Sequence, residues 1–295
     1  MDHQAKTLPM PPSWPARIRA LEAGELTPPV PRPAATVVLL RDGADGPQAY
    51  LLRRRTSMAF AGGMYAYPGG GVDPRDAEAE IGWAGPSPEE WAKRLGVDRR
   101  TAQAVVCAAV RETFEEAGVL LAGPDAHAIA DAGDWSAERA ALEAHELSFA
   151  DFLRTHGLVL RSDLLAAWAR WVTPVFEERR FDAWFFVAAL PPGQLAASEV
   201  GEADRVAWLS PAEAVRGYEQ GTYGMLPPTV TVLRELLPVR TAAHALDAAE
   251  GRPLDPVLGR AEVAGDRMTV RWSGYEELTI DGHFPEEGPS PDEPQ

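Results

Sequence analysis

Three glutamates within five residues are the strongest chemical signal in the chain. They are Glu112, Glu115 and Glu116, and they belong to the segment Arg99–Ala117, which contains no Gly or Pro. On a helix with about 100° per residue, the three carboxylates share an arc of about 100°. Acids crowded at a helix C-terminus repel one another and the negative end of the helix dipole. Because Mg²⁺ takes carboxylate oxygens as ligands, this pattern predicts a divalent-metal site.

The helix that must position these acids has clear start and stop signals. Asp98 is the predicted N-cap and Gly118 is the predicted stop. A solvated acidic face is the alternative interpretation, but in this segment only Arg111, four residues before Glu115, offsets the repulsion. The residues on the opposite face are apolar and predict an amphipathic helix anchored to the core: Val106, Val110, Phe114, Ala117 and Leu121.

A glycine triplet, Gly69, Gly70 and Gly71, precedes this helix along the chain. It follows alternating aromatic residues, so the pattern predicts a strand that runs into a glycine loop, although such a triplet alone would more often be a plain turn. Further upstream, residues 35–40 and 48–54 are apolar runs separated by a turn, which predicts a β-hairpin.

The remaining segments predict helices and strands in alternation. A short helix starting at Ser13 and Pro15 interrupts an N-terminal arm that has eight prolines in residues 1–33. Further helices are expected at residues 89–95, 135–146, 149–154, 162–171, 211–218, 229–237 and 241–250, and strands at 181–190 and 205–209.

These elements divide the chain into regions of different composition. We expect a Pro-rich arm (1–33), one catalytic domain (34–240) that holds an insertion (77–104) and a helical block (124–172), and a C-terminal extension with a disordered acidic tail (241–295).

Composition excludes several classes of function. The formal net charge of -16 would repel a nucleic-acid backbone, so no nucleic-acid partner is expected. The chain has one cysteine, Cys107, which we interpret as core packing, and the N-terminus lacks an apolar signal region. No window approaches 18 uninterrupted apolar residues. The sequence therefore predicts a soluble cytoplasmic protein with no membrane partner.

The acid-rich helix and the glycines together resemble the Nudix box, Gly-x5-Glu-x7-Arg-Glu-U-x-Glu-Glu-x-Gly-U. The matching positions are Gly70, Arg111, Glu112, Glu115, Glu116, Gly118 and Val119. Three positions or spacings depart from the family pattern. Asp76 stands at the first glutamate, Thr113 replaces an aliphatic residue, and 34 residues separate Asp76 from Arg111 where the family has 7. Because closure entropy grows only logarithmically with length, a loop can absorb the 27 extra residues.

The resemblance implies an α/β/α sandwich around a mixed β-sheet with helical insertions, and a Mg²⁺-dependent hydrolase in which Mn²⁺ could replace Mg²⁺. It implies that Glu112, Glu115 and Glu116 bind the metal, that Arg111 orients them by a salt bridge and that water is the nucleophile. Gly69, Gly70 and Gly71 would approach the helix closely and adopt positive φ. Glu199 and Glu202 stand where family members often supply a further ligand or general base.

The long insertion resembles the branch with peroxisomal coenzyme A diphosphatases and their bacterial relatives, so CoA or acyl-CoA is the expected nucleotide-type substrate. ADP-ribose, NADH and dinucleoside polyphosphates are alternatives, as are a nucleotide-sensing module without catalysis and an acidic protein that merely holds metal. Dimers are common in the family, so a homodimer is one expected assembly. The candidate phosphate contacts, which could equally be ordinary surface arginines, are Arg53, Arg54, Arg55, Arg179 and Arg180.

Overall fold

The structure is a computed structural model that describes residues 13–56, 62–78, 80–131, 133–197, 203–265 and 267–283. These residues form two compact units. The larger unit comprises Pro33–Arg170 and Ala183–Asp255. The smaller unit comprises the described residues of Met1–Arg32, Trp171–Asp182 and Pro256–Gln295. The predicted tail falls largely on residues 284–295, which lie outside the described residues.

The described helices and strands follow one another in this order: α1 Trp14–Glu22, β1 Arg32–Gly43, β2 Gly46–Arg54, β3 Tyr65–Ala66, β4 Gly69–Gly71, α2 Pro74–Glu78, β5 Trp83–Ala84, α3 Pro88–Leu95, α4 Arg99–Ala117, β6 Ala122–Gly123, α5 Ser136–Glu143, α6 Phe149–Thr155, β7 Val159–Arg161, β8 Ala166–Val172, β9 Phe181–Ala189, β10 Ala203–Leu209, α7 Pro211–Glu219, α8 Pro227–Glu235, α9 Ala242–Ala249, β11 Val257–Ala264, β12 Arg267–Trp272 and β13 Ile280–His283.

The larger unit is built on a sheet in which β10, β2, β1, β9 and β8 are successive neighbours. Strands β1 and β2 form an antiparallel hairpin. Strand β4, which precedes α4 in the sequence, also pairs with β1. A second small sheet has the order β5-β7-β6. Helix α4 packs against α2, α3, β4 and α5, so it lies at the centre of this unit.

The smaller unit has its own strands. Strands β11, β12 and β13 form antiparallel pairs, and Val257 and Leu258 lie parallel to Trp171 and Val172. Helix α1 begins after Ser13, as predicted, and its Arg17 donates to the carbonyl of Phe176 at 2.8 Å. The three strands after Pro256 were not predicted, although Arg267–Trp272 alternates polar and apolar residues as a half-buried strand does.

Most elements with strong local signals are confirmed. These are the β1–β2 hairpin and α3, α4, α5, α6, β9, β10, α7, α8 and α9, each within a few residues of its predicted bounds. Capping residues explain why the starts of several helices were predicted accurately. Ser87 with Glu90 and Ser210 with Glu213 form capping boxes, and Pro occupies the first turn of both helices.

The helix predicted over residues 162–171 is wrong. The chain forms a 3₁₀ turn and then the strand β8, in which Trp168 and Trp171 are buried. The run from Leu164 to Ala167 has high helix propensity, but the aromatic residues that follow fit a strand buried on both faces. Pairing with the neighbouring strand therefore outweighs the local preference. Helix α2 and strand β5 were not predicted, since the only element expected between the glycine triplet and α4 was the helix at 89–95.

Candidate active site

Helix α4 begins and ends as its sequence predicts. The Asp98 carboxylate accepts a hydrogen bond from the Thr101 amide at 3.0 Å, which satisfies one of the free amides of the first turn. At the other end, Gly118 has φ +67°, and its amide donates to the carbonyl of Phe114 at 2.9 Å. Because glycine adopts this left-handed conformation without strain, the helix ends at Ala117.

The surroundings of α4 differ from the predicted amphipathic pattern. Val106, Val110 and Phe114 are buried as expected, but the acidic side is covered as well. Arg111 is 5% exposed and Glu116 is 8% exposed, because α2 and β4 pack over that side of the helix. The carboxylates therefore lie in a low-dielectric site and do not form a solvated face.

Arg111 is the centre of the acid cluster. Its Nη1 lies 2.8 Å from Oε1 of Glu112 and 3.2 Å from Oε1 of Glu115. Its Nε lies 3.3 Å from Oδ2 of Asp76, and its Nη2 donates to the carbonyl of Gly71 at 2.9 Å. One guanidinium thus connects the helix, the glycine strand and the residue at the first acidic position of the motif.

Burial dominates the electrostatics of this cluster. Desolvation raises the pKa of Glu112 to about 7 although Arg111 acts in the opposite direction. Burial also raises the pKa values of Glu115 and Asp76. Burial lowers the pKa of Arg111, but the neighbouring carboxylates outweigh it and leave that pKa above its usual range. A single cation among several buried acids leaves an excess of negative charge, which a divalent cation would neutralise.

The glycine triplet is a short strand, not a loop. Gly69, Gly70 and Gly71 pair with Thr36, Ala35 and Ala34 of β1, and none of the three has a positive φ. The prediction of positive φ is therefore wrong, because strand pairing keeps this backbone extended.

The prediction of a close approach to the helix is confirmed at Gly70, where a Cβ would overlap the Glu112 carboxylate. A Cβ on Gly69 would instead lie 2.6 Å from the carbonyl of Ala35 in β1. At Gly71 nothing lies within 4 Å of such an atom. The Gly69 amide donates to Oε2 of Glu116 at 2.8 Å, so the strand also orients that carboxylate.

Asp76 lies close to the helix despite the long spacer. The side chain is 3% exposed, its Oδ2 accepts from the Asp73 amide at 3.1 Å, and its Oδ1 lies 3.4 Å from Sγ of Cys107. The shorter acid therefore still reaches Arg111. Cys107 is buried beside it, and burial raises the pKa of this thiol well above its usual value, in keeping with a packing role.

The predicted phosphate contacts have different surroundings. Arg53 forms a double hydrogen bond with Asp204, with both N···O distances at 2.6 Å. In the described part of the chain, the buried Nε of Arg54 has no hydrogen-bond partner, and Arg55 is exposed. Arg180 donates through Nε to Thr173 at 3.0 Å and through Nη1 to Pro29 at 2.8 Å. Its side chain is thus already engaged by the backbone of the smaller unit.

Glu199 and Glu202 lie outside the described residues, so their predicted roles remain predictions. The sequence did not point to Arg139 of α5, whose Nη2 donates to the carbonyl of Glu115 at 2.8 Å. The only sequence signal for such a partner was indirect. The last turn of α4 lacks a basic residue, although it carries acids at the negative end of the dipole.

The carboxylates of Glu112, Glu115 and Glu116 are chemically suited to a divalent cation, although they contact other groups of the protein in this structure. In the described ranges, no group of three His, Cys, Asp or Glu side chains surrounds a common point. Glu112 and Glu115 each turn one oxygen toward Arg111, and Glu116 turns one toward the Gly69 amide. Carboxylates, whether bidentate or monodentate, are the usual ligands of Mg²⁺ and Mn²⁺.

A family model described as the NUDT19 Nudix domain matches residues 88–236, just over half of the chain and including all of α4. The chain belongs to this family and is a Nudix hydrolase. Nudix hydrolases generally use a divalent metal ion and act on nucleotide-type small molecules.

Individual relatives agree with this assignment. The chain is 29% identical over 193 residues to a putative Nudix hydrolase 7 of Caenorhabditis elegans, covering 64% of this chain and 56% of the relative. It is 27% identical over 253 residues to the human acyl-coenzyme A diphosphatase NUDT19, covering 72% of this chain and 66% of that protein. The matches thus span from about half to about two thirds of these two relatives.

A solved structure confirms the fold. The crystal structure of a Nudix hydrolase from Alicyclobacillus acidocaldarius superposes with a TM-score of 0.62 at 28% identity and covers 74% of this chain and 96% of that one. The predicted mixed α/β fold is therefore confirmed. Within the described residues, no helix is both long and apolar enough to cross a membrane.

Proposed function

We propose that this Nudix hydrolase cleaves, with Mg²⁺, the diphosphate bond of CoA or acyl-CoA. The observation that carries the proposal is the buried excess of carboxylates around Arg111 on the Nudix helix. Glu112, Glu115 and Glu116 would hold the metal ion, and Mn²⁺ could replace Mg²⁺. The bound ion would neutralise charge on the phosphates and polarise the bond that breaks.

The chain's own residues orient these ligands. Arg111 fixes one oxygen of Glu112 and one of Glu115, and the Gly69 amide fixes one oxygen of Glu116. These partners, which do not themselves bind metal, orient the three carboxylates, as is usual around metal sites. Gly70 has no side chain, so the strand can lie against the Glu112 carboxylate without displacing it.

The reaction adds one water molecule across the anhydride. The water oxygen bonds to one phosphorus, the bridging P–O bond breaks, and a base accepts the proton that the water loses. We assign this base to Glu202, on the strength of its position before β10. With CoA, the products are an adenosine bisphosphate and a phosphopantetheine. Arg54 and Arg55 are the proposed phosphate contacts, supported by the buried Nε of Arg54, which lacks a partner among the described residues.

Two observations support CoA over other diphosphates. Matched relatives carry the name acyl-coenzyme A diphosphatase, and the family model that matches is the NUDT19 Nudix domain. The long spacer between Asp76 and Arg111 also resembles that branch. Because the chain covers only part of each relative, the substrate is a proposal, as are the predicted homodimer, the cytoplasmic location and the predicted division into an arm, a catalytic domain and an extension.

A substrate panel tests the proposal. CoA, acyl-CoA, ADP-ribose, NADH and a dinucleoside polyphosphate are incubated with the protein and Mg²⁺ or Mn²⁺, and the products are identified by mass spectrometry. We expect CoA or acyl-CoA to have the highest kcat/KM and Glu116→Gln to lower it by more than about 100-fold. Glu250→Gln, a change on the exposed end of α9, is the matched control and should keep wild-type activity. Faster turnover of ADP-ribose or NADH would refute the substrate, and no turnover at all would refute the activity.

A further inference from the structure

The last carbonyls of α4 are contacted from three other segments. The carbonyl of Glu115 accepts from Nη2 of Arg139 at 2.8 Å, and the carbonyl of Ala117 accepts from the Ala197 amide at 2.7 Å. The Tyr50 hydroxyl donates to the carbonyl of Ala197 at 3.0 Å and lies 3.5 Å from that of Glu116. Helix ends leave these carbonyls without intrahelical partners, so the contacts from other segments hold the final turn in place.

Arg139 is the only one of these contacts that brings a positive charge. The last turn of α4 has no basic residue, and the acidic side chains of Glu115 and Glu116 lie at the negative end of the helix dipole. Arg139 interacts electrostatically with Glu115 and with Glu143 of its own helix. A half-buried guanidinium at this end therefore adds a second positive charge to that of Arg111, which compensates Glu115 from within the helix.

The packing around Arg139 is close. A Cβ on Gly118 would lie 3.1 Å from Nη1 of Arg139 and 3.6 Å from Cβ of Ala197. Glycine at position 118 therefore allows the left-handed turn and also leaves room for Arg139 and Ala197 to lie close to the helix end. Beyond Ala197, the chain continues into the segment that carries Glu199 and Glu202.

We infer that Arg139 is a positioning residue for the metal-binding acids, an inference that rests on the proposed function. Its bond to the backbone of Glu115 fixes the turn from which Glu115 and Glu116 project, and its charge stabilises these acids while they converge on a cation. It acts through the helix and does not touch the substrate. Arg139 comes from α5, so this helix would support the metal-binding end of α4.

The alternative is that Arg139 only stabilises the fold. Loss of a helix cap would then lower the melting temperature without changing metal affinity. Arg139→Gln removes the charge, and Arg139→Lys keeps a charge and a donor but loses the planar fork. Arg154→Gln is the matched control, because Arg154 is an exposed arginine of the same helical block and pairs only with Asp151 in the described residues.

The experiment measures Mn²⁺ affinity by electron paramagnetic resonance on the full chain, alongside kcat/KM with CoA at saturating and limiting Mg²⁺. We expect Arg139→Gln to bind Mn²⁺ about 10- to 100-fold more weakly and to need correspondingly more Mg²⁺ for half-maximal activity. Arg139→Lys should recover part of the affinity. Arg154→Gln should match the wild type.

Unchanged Mn²⁺ affinity in Arg139→Gln, with or without a lower melting temperature, would overturn the inference. Failure of the proposed function gives a different result, in which the wild type binds Mn²⁺ but turns over neither CoA nor acyl-CoA. In that case, weaker Mn²⁺ binding by Arg139→Gln would still support the positioning role. A wild-type protein that binds no Mn²⁺ would overturn both.

Discussion

The two parts of the Nudix motif reach the site in different ways. In the helical part, Arg111 and Glu115 are four residues apart, so the helix itself brings them together at 3.2 Å. In the strand part, Gly70 and Asp76 are held by neighbours distant in sequence, namely Ala35 of β1 and Arg111 of α4. The helical part is therefore encoded locally, whereas the strand part depends on tertiary packing across an insertion. Variants in both parts can test this difference.

Removal of Arg111 should have the largest effect, because Arg111 joins the two parts. Arg111→Met leaves the carboxylates of Asp76, Glu112 and Glu115 buried without their common cation. We expect the free energy of unfolding to fall by about 3–5 kcal/mol, measured by urea denaturation in EDTA. Arg154→Met, which breaks only an exposed pair, should lower it by at most about 1 kcal/mol. Equal losses in the two variants would show that the cluster is not buried as described.

The strand part alone is tested by two adjacent glycines. Gly70→Ala would push a methyl group into the Glu112 carboxylate, and a displacement of about 1 Å at a catalytic group lowers activity by about 100-fold. Gly71→Ala has open space and a compatible backbone, so its kcat/KM should stay within about threefold of wild type. Both are measured in the same CoA assay. Similar activities for the two variants would mean that the close approach at Gly70 has no catalytic consequence.

Asp76 tests whether the front of the motif still supports the helix. Asp76→Asn keeps the shape but removes the charge that faces Nε of Arg111. We expect the free energy of unfolding to fall by about 1–2 kcal/mol, because the amide replaces one acceptor oxygen by an NH₂ group and leaves one of the donors around Asp76 without an acceptor. Asp247→Asn, on the exposed face of α9, is the control and should change it by less than about 0.5 kcal/mol. An Asp76→Asn protein with the wild-type free energy of unfolding would show that Asp76 does not contribute to the stability of the cluster.

The smallest expected effect is the pH dependence of stability without metal. Burial raises the pKa of Glu112 to about 7 and also raises those of Glu115 and Asp76. The folded protein thus binds protons more tightly than the unfolded chain, so stability is greatest below the unfolded pKa and falls as pH rises through about 7. In EDTA we expect a decrease on the order of 1 kcal/mol between about pH 5 and about pH 8. Glu112→Gln should flatten the profile, and stability that rises with pH would contradict this account.

The sequence predicted the helical part of the site better than the strand part. Helix α4, its caps at Asp98 and Gly118 and the spacing of its acids depend on neighbouring residues, and all were predicted. The extended glycine strand, the burial of the acidic side and the bond from Arg139 depend on elements 20 or more residues away, and none of these was predicted. Strand β8 was mistaken for a helix for the same reason, since its pairing partner outweighs its local propensity.

The most direct test of the central claim is anomalous diffraction from crystals soaked in Mn²⁺. We expect a peak with carboxylate oxygens of Glu112, Glu115 and Glu116 at roughly 2.1 Å, while Arg111 keeps its contacts with the cluster. Absence of a peak at these residues under conditions in which the protein binds Mn²⁺, or a peak ligated by other side chains, would contradict it.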